Sequence, residues 1–130
     1  MSYLLDSVAL YYLVQDSSLL SANAQIFIQA NQQSNPRNYI SAVSLYELGM
    51  KAKDGRLKLD IGVDELFDRL HQSDSEIVPV TEEIIRLSVA LKWEHKDPGD
   101  RMIVATASFM KLPILTSDRK IRDFYPDTIW

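Results

Sequence analysis

Four short apolar blocks punctuate the chain: Tyr3-Leu4-Leu5, Tyr39-Ile40, Ile77-Val78 and Ile114-Leu115. Each is too brief for a helix and reads as a buried strand. The segments between them carry apolar residues at three- and four-residue steps, the spacing of a helix with one buried face. Residues 7 to 14 predict a helix bearing Leu10, Leu13 and Val14, and a second helix spans roughly 17 to 33 with Leu20, Ala24, Phe27 and Ile28. Polar residues from Asn31 to Pro36 mark a loop. A helix is expected to begin near Ser44 and to stop around Gly55, a natural residue just past a helix end. Val63, Leu66, Phe67 and Leu70 share a face over residues 63 to 72. Pro79 closes the third strand, and Thr81 caps a helix bearing Ile84, Ile85, Leu87, Ala90 and Leu91. Asp97-Pro98 opens a further helix through Ile103, Val104 and Ala107, which ends before Lys111-Leu112-Pro113. Strands alternating with helices imply a mostly parallel sheet covered on both faces. With no repeat and no linker, the expected fold is one three-layer α/β/α domain over residues 1–130.

Composition narrows the chemistry. The 130 residues are 46% hydrophobic and 25% charged, within the range of folded soluble domains. The chain has no cysteine, which excludes disulfides, thiolate metal sites and cysteine nucleophiles. Only His71 and His95 are present, too few for a histidine-rich metal centre. The apolar run from Val8 to Val14 falls far short of a bilayer span. The N-terminus lacks a basic region and places Asp6 in its first apolar stretch, unlike a signal peptide. A cytoplasmic protein without membrane contact is expected. The net charge of −4 and pI near 5.1 argue against a domain that holds nucleic acid by bulk positive charge. A nuclease remains open, because divalent ions neutralise clustered carboxylates and bridge them to phosphate.

The acids sit where such a sheet builds its sites, beyond the carboxyl ends of the strands. Asp6 follows the first strand, and Glu47 is expected in the first turn of the helix after the second. Asp97 and Asp100 flank a late helix start, and Asp118 follows Leu115-Thr116-Ser117. Gathered at one edge, these carboxylates would repel one another unless an ion lay among them. Oxygen-only ligands favour Mg²⁺ or Mn²⁺ over zinc. Each acid also has a structural reading. Ser44-x-x-Glu47 fits a capping box, Asp97-Pro98 fits an N-cap with proline at N1, and Asp100 in that first turn complements the helix dipole. Asp118 fits a cap for residues 119 to 124. Asp6 is the least easily dismissed, since it ends a buried strand and needs a partner if buried.

Taken as a set, Tyr3-Leu4-Leu5-Asp6-Ser7, Ser41-Ala42-Val43-Ser44-Leu45-Tyr46-Glu47-Leu48, His95-Lys96-Asp97-Pro98-Gly99-Asp100-Arg101 and Leu115-Thr116-Ser117-Asp118 resemble a PIN domain. The likeness is to the VapC-type toxins of toxin–antitoxin pairs. The segments occur in family order over nearly the whole chain. Two positions depart from the family pattern: Ser7 stands where Thr is frequent, and Gly99 where Phe is frequent. Gly99 is expected to remove an apolar contact beside the site and to loosen that helix start.

The resemblance implies an endoribonuclease that depends on Mg²⁺ or Mn²⁺, with Asp6, Glu47, Asp100 and Asp118 as metal-binding acids. Water activated at carboxylate-held ions would attack the phosphate in line, leaving 5′-phosphate and 3′-hydroxyl ends. Asp97 assists through water or only caps its helix. Thr116 and Ser117 are candidates to orient Asp118 or a water. His95 holds the loop or meets substrate, and Arg101 pairs with an acid or contacts phosphate. Lys51, Lys53, Arg56 and Lys58 form one basic group, and Arg119, Lys120 and Arg122 another; both are candidates for RNA contact or for plain solvated faces. Tyr11, Tyr12, Phe27, Phe67, Trp93, Phe109 and Trp130 read as packing. The resemblance further implies a cognate antitoxin and a homodimer, with residues 7 to 33 as a candidate surface for either. A haloacid-dehalogenase-type phosphoryl transferase wants a second acid where this chain has Val8, and a receiver domain wants an acidic pair near the first strand. The remaining alternative is a catalytically silent PIN-like module that acts by binding RNA or protein.

Overall fold

A computed structural model describes all residues from Met1 to Trp130. The elements run β1 (Leu4–Leu5), α1 (Ser7–Gln15), a 3₁₀ turn (Ser17–Leu19), α2 (Ala22–Ala30), β2 (Asn38–Ser41), α3 (Ala42–Lys53), α4 (Val63–Gln72), β3 (Ser75–Val78), α5 (Glu82–Ala90), α6 (Pro98–Met110), β4 (Ile114–Leu115), α7 (Arg119–Phe124) and β5 (Thr128–Ile129). The sheet order is β3-β2-β1-β4-β5, and every pair is parallel. Strand order therefore reverses at β1, between β2 on one side and β4 on the other.

Alternation along these short strands divides the core. Leu5 is in register with Ile40 and Leu115, and all three pack with Tyr3, Ala9, Leu10, Ala24, Leu48 and Leu66 under α1 to α4. Leu4 is in register with Tyr39 and Ile114, and that face packs against Ile103, Val104, Ala107 and Ile121 of α6 and α7. Leu4, Leu5, Ile114 and Leu115 are fully buried, each contributing about 1.5–3 kcal/mol of transfer free energy. Two faces covered by helices explain why these strands read as continuous apolar blocks.

Three expectations need correction. The stretch 17–33 is not one helix: Ser21 caps Ala24 and starts α2 afresh after the 3₁₀ turn. The helix after β2 begins at Ala42, not near Ser44, because the Ser41 hydroxyl accepts from the Val43 amide. Its end matches expectation, with Gly55 just past it at φ 75°. A fifth strand, Thr128–Ile129, pairs with β4 where no strand was expected. No helix is long and apolar enough to cross a membrane. Most expected packing aromatics do pack, with Tyr3 edge-on to Phe27 and Tyr12 against Trp130, whereas Phe109 is 48% exposed.

Candidate active site

The carboxyl ends of β1, β2 and β4 deliver side chains to one cavity of about 200 Å³, lined by Asp6, Ser7, Glu47, Lys51, Asp97, Asp100 and Asp118. All five acids singled out in the sequence meet there. Asp6 is 5% exposed. Its Oδ1 accepts from the Ala9 amide at 2.8 Å, capping α1, and its Oδ2 accepts from the Thr116 hydroxyl. Burial pushes the Asp6 carboxyl up to about 6; the Thr116 and Ala9 hydrogen bonds oppose this, and the charges of Asp118 and Asp100 add to it.

Glu47 lies in the second turn of α3, because the helix starts earlier than its serine spacing suggests. The Ser44–Glu47 capping box is therefore absent. Ser44 is fully buried, and Glu47 Oε1 accepts instead from Ser7 Oγ at 2.8 Å, with Ser44 Oγ 3.1 Å from that hydroxyl. Burial raises the Glu47 carboxyl, the Ser7 hydrogen bond lowers it, and the charges of Asp97 and Asp100 raise it further. Asp100 is also raised, chiefly by burial, against the opposing contact with His95 Nε2, which lies 2.6 Å from its Oδ2. Asp97 caps α6 through the Asp100 amide at 2.9 Å. Asp118 caps α7 through the Lys120 and Ile121 amides at 2.8 and 3.2 Å. In both acids one carboxylate oxygen serves the helix and the other accepts no helix amide, so capping leaves each residue able to line the cavity as well.

The supporting residues divide. Thr116 is fully buried; its hydroxyl donates to Asp6 and accepts from the Asp118 amide at 3.0 Å, so it ties two acids together. Ser117 makes no such bond to either acid. The His95 ring stands edge-on to Trp93, which stacks on Phe124 at 4.6 Å. Arg101 neither pairs with an acid nor faces the cavity. Its guanidinium donates to the backbone carbonyls of Ser88, Val89, Leu91, Trp93 and His95, stapling the α5–α6 connection. Gly99 does not loosen its helix: α6 starts at Pro98 with a capped first turn.

The basic candidates are not equivalent. Lys51 lines the acidic cavity, whereas Arg56 is committed to Asp54 at 3.1 Å and Lys53 belongs to a separate apolar groove with Tyr46 and Phe67. Arg119 and Lys120 open α7 on the surface beside Asp118. An adjoining open groove of about 610 Å³ is lined by Lys92, Trp93, Glu94, His95, Lys96, Lys120 and Asp123. Sequence reasoning passed over Lys92 and Lys96; their spacing around Trp93 and His95, just ahead of Asp97, was the available signal.

The donor set suits a hard divalent cation: five carboxylates and no sulfur share one cavity, at a mutual electrostatic cost that an ion would remove. As they stand, no three of these carboxylates are gathered closely enough to share one ion. An ion shared among three of them would need their carboxylates to rotate, which partly exposed Glu47 and Asp100 permit more readily than buried Asp6.

Comparison with known proteins agrees with this architecture. The PIN domain profile matches residues 3–125. Ribonuclease VapC22 of Mycobacterium tuberculosis is 30% identical over 132 residues, covering 98% of this chain and 97% of that one. A chain from a toxin–antitoxin complex of Klebsiella pneumoniae is 25% identical, covers 98% of this chain and 96% of its own, and superposes with a TM-score of 0.66. FitAcB of Neisseria gonorrhoeae shares the fold at 20% identity and a TM-score of 0.63, over 93% of this chain and 90% of that one. With its junction acids in one cavity and a family match over nearly its full length, the chain belongs to the PIN domain family, alongside the VapC-type proteins.

Proposed function

We propose that this protein is a metal-dependent endoribonuclease and the toxin of a toxin–antitoxin pair. The observation that carries the reading is the convergence of Asp6, Glu47, Asp97, Asp100 and Asp118 on one cavity at the strand-order reversal. Asp6, Glu47, Asp100 and Asp118 are the ligands for Mg²⁺ or Mn²⁺, with Asp97 assisting. A bound ion supplies Lewis-acid polarisation of the phosphate and a lowered pKa for water. Thr116 fixes the Asp6 carboxylate, and His95 fixes that of Asp100. Lys51 brings a positive charge to the rim for phosphate.

RNA enters along the groove of Lys92, Lys96 and Lys120, which make no ion pair with any acid. Each phosphate contact on a single strand contributes about 0.7 to the salt slope. Replacing the three lysines with alanine is expected to lower the slope of log K against log salt by about 2, measured by RNA binding in chelator. An unchanged slope removes this groove from the RNA path.

An antitoxin segment suits the cavity of about 550 Å³ between α1, α2 and α4, where Leu13, Val14, Ile28, Leu66 and Leu70 offer apolar contact. Tyr3 and Asn38, both buried, line the same cavity with their polar ends. That surface overlaps the 7–33 stretch. A homodimer completes the reading.

The deciding experiment incubates total RNA with the purified chain and Mg²⁺ or Mn²⁺, beside a chelator control and Asp100→Asn. Discrete fragments with 5′-phosphate ends, absent in both controls, are expected. Cyclic 2′,3′-phosphate ends would overturn the mechanism. Intact RNA in every lane, from folded protein with ion bound, would favour a silent binding module.

A further inference from the structure

Gly99 is the second residue of α6 and is buried. A Cβ built on it would stand 2.8 Å from Cδ, Oε1 and Oε2 of Glu47 alike. Three equal distances mean that the carboxylate lies flat on the bare glycine. Ser7 holds Oε1 from the other side, and the first turn of α6 offers the positive end of a helix dipole. In this place the carboxylate feels the charges of Asp97, Asp100 and Lys51. Asp6, for its part, is influenced by Asp118 and Asp100. Glu47 thus rests on the first turn of α6, and no three of the cavity's carboxylates are close enough to share an ion.

We propose that Gly99 is a positioning residue for Glu47: its missing side chain provides a resting bay that keeps the carboxylate out of an ion-sharing arrangement until an ion draws it out. The second half rests on the reading of Glu47 as an ion ligand; the contact itself does not. A resting state that competes with the binding-competent one weakens apparent affinity by the competent fraction. Filling the bay therefore has two effects. Without metal it displaces the movable end of Glu47 from its bay, at a modest cost to the fold. With metal it removes the competing state and tightens binding.

The test compares the full-length wild type, Gly99→Ala, Glu47→Ala and the double variant, by melting in chelator and by Mn²⁺ titration. Alanine is a better helix former than glycine, so a loss of stability on Gly99→Ala reports the collision and not the helix. Because the colliding atoms are the movable end of Glu47, Gly99→Ala is expected to lower the metal-free Tm by roughly 2 °C relative to the same change in the Glu47→Ala background and to tighten Mn²⁺ binding roughly three- to tenfold. In the Glu47→Ala background both effects vanish, because the bay is empty. Equal melting shifts in both backgrounds, or Mn²⁺ affinity unmoved or weakened by Gly99→Ala, overturn the proposal. So does an unfolded Gly99→Ala chain that Glu47→Ala fails to restore. Failure of the wild type to bind Mn²⁺ overturns the ion-ligand reading and is told apart from these, because the metal-free melting cycle reads the Gly99–Glu47 contact with no ion present.

Discussion

Asn in place of Asp6 is expected to reduce RNA cleavage at least ~100-fold while making the metal-free protein more stable at pH 8. The activity loss follows from removing a proposed ligand, where disturbing a mere neighbour of a ligand already costs about 10- to 100-fold. The stability gain follows from burial. The Asp6 carboxyl titrates at about 6 in the fold against 3.8 when exposed, so holding it charged costs about 3 kcal/mol. Asn keeps an acceptor for the Ala9 amide but presents an N–H to Thr116, returning about 1 kcal/mol of that. The sign with pH is fixed. A carboxyl raised in the folded state contributes stability that is full below about pH 4 and lost as pH rises through 6. The advantage of Asn is therefore about 2 kcal/mol at pH 8 and fades toward pH 4. Denaturant unfolding at both pH values in chelator measures it. A stability difference that ignores pH, or cleavage within tenfold of wild type, would contradict this account of Asp6.

Arg101→Ala is expected to lower the Tm by about 10 °C and to impair cleavage without removing any acid. Five donors of one guanidinium engage five carbonyls, the shortest at 2.7 Å to Trp93. Two of these, Ser88 and Val89, belong to the last turn of α5, whose carbonyls lack helical partners. Losing the group leaves those carbonyls half-buried and frees the loop carrying Trp93 and His95, a cost of about 3 kcal/mol. Lysine does not rescue, since a single ammonium cannot reach five acceptors in a plane. His95 then no longer holds Asp100, so the fall in cleavage has a route. Thermal unfolding of Arg101→Ala and Arg101→Lys decides; a drop below about 3 °C would show that the staple is dispensable.

These two residues mark what a sequence can and cannot convey. Asp6 was legible because a charge at the end of a fully apolar strand has few explanations, and the other acids because helix starts bear visible caps. The same caps concealed Glu47: Ser41 and Ser44 are equally good candidates, and choosing the wrong one moved Glu47 by most of a turn. Arg101 was misread because its partners are carbonyls six to thirteen residues upstream, which leave no trace in side-chain identity. Strand β5 was missed because two residues after Pro126-Asp127 carry no periodicity; it is defined by pairing with Ile114 and Leu115. Gly99 looked like a lost contact, and only the position of Glu47 shows that space was gained.

The strand order has a consequence for how the protein is made. Asp6 and Thr116 are 110 residues apart, and their hydrogen bond forms only when β4 pairs beside β1. Chains emerge from the ribosome N-terminus first, so α1 to α5 can be complete while Thr116 and Asp118 are still untranslated. A chain at that stage carries Asp6 and Glu47 but not Asp97, Asp100 or Asp118, so the acidic cavity is incomplete.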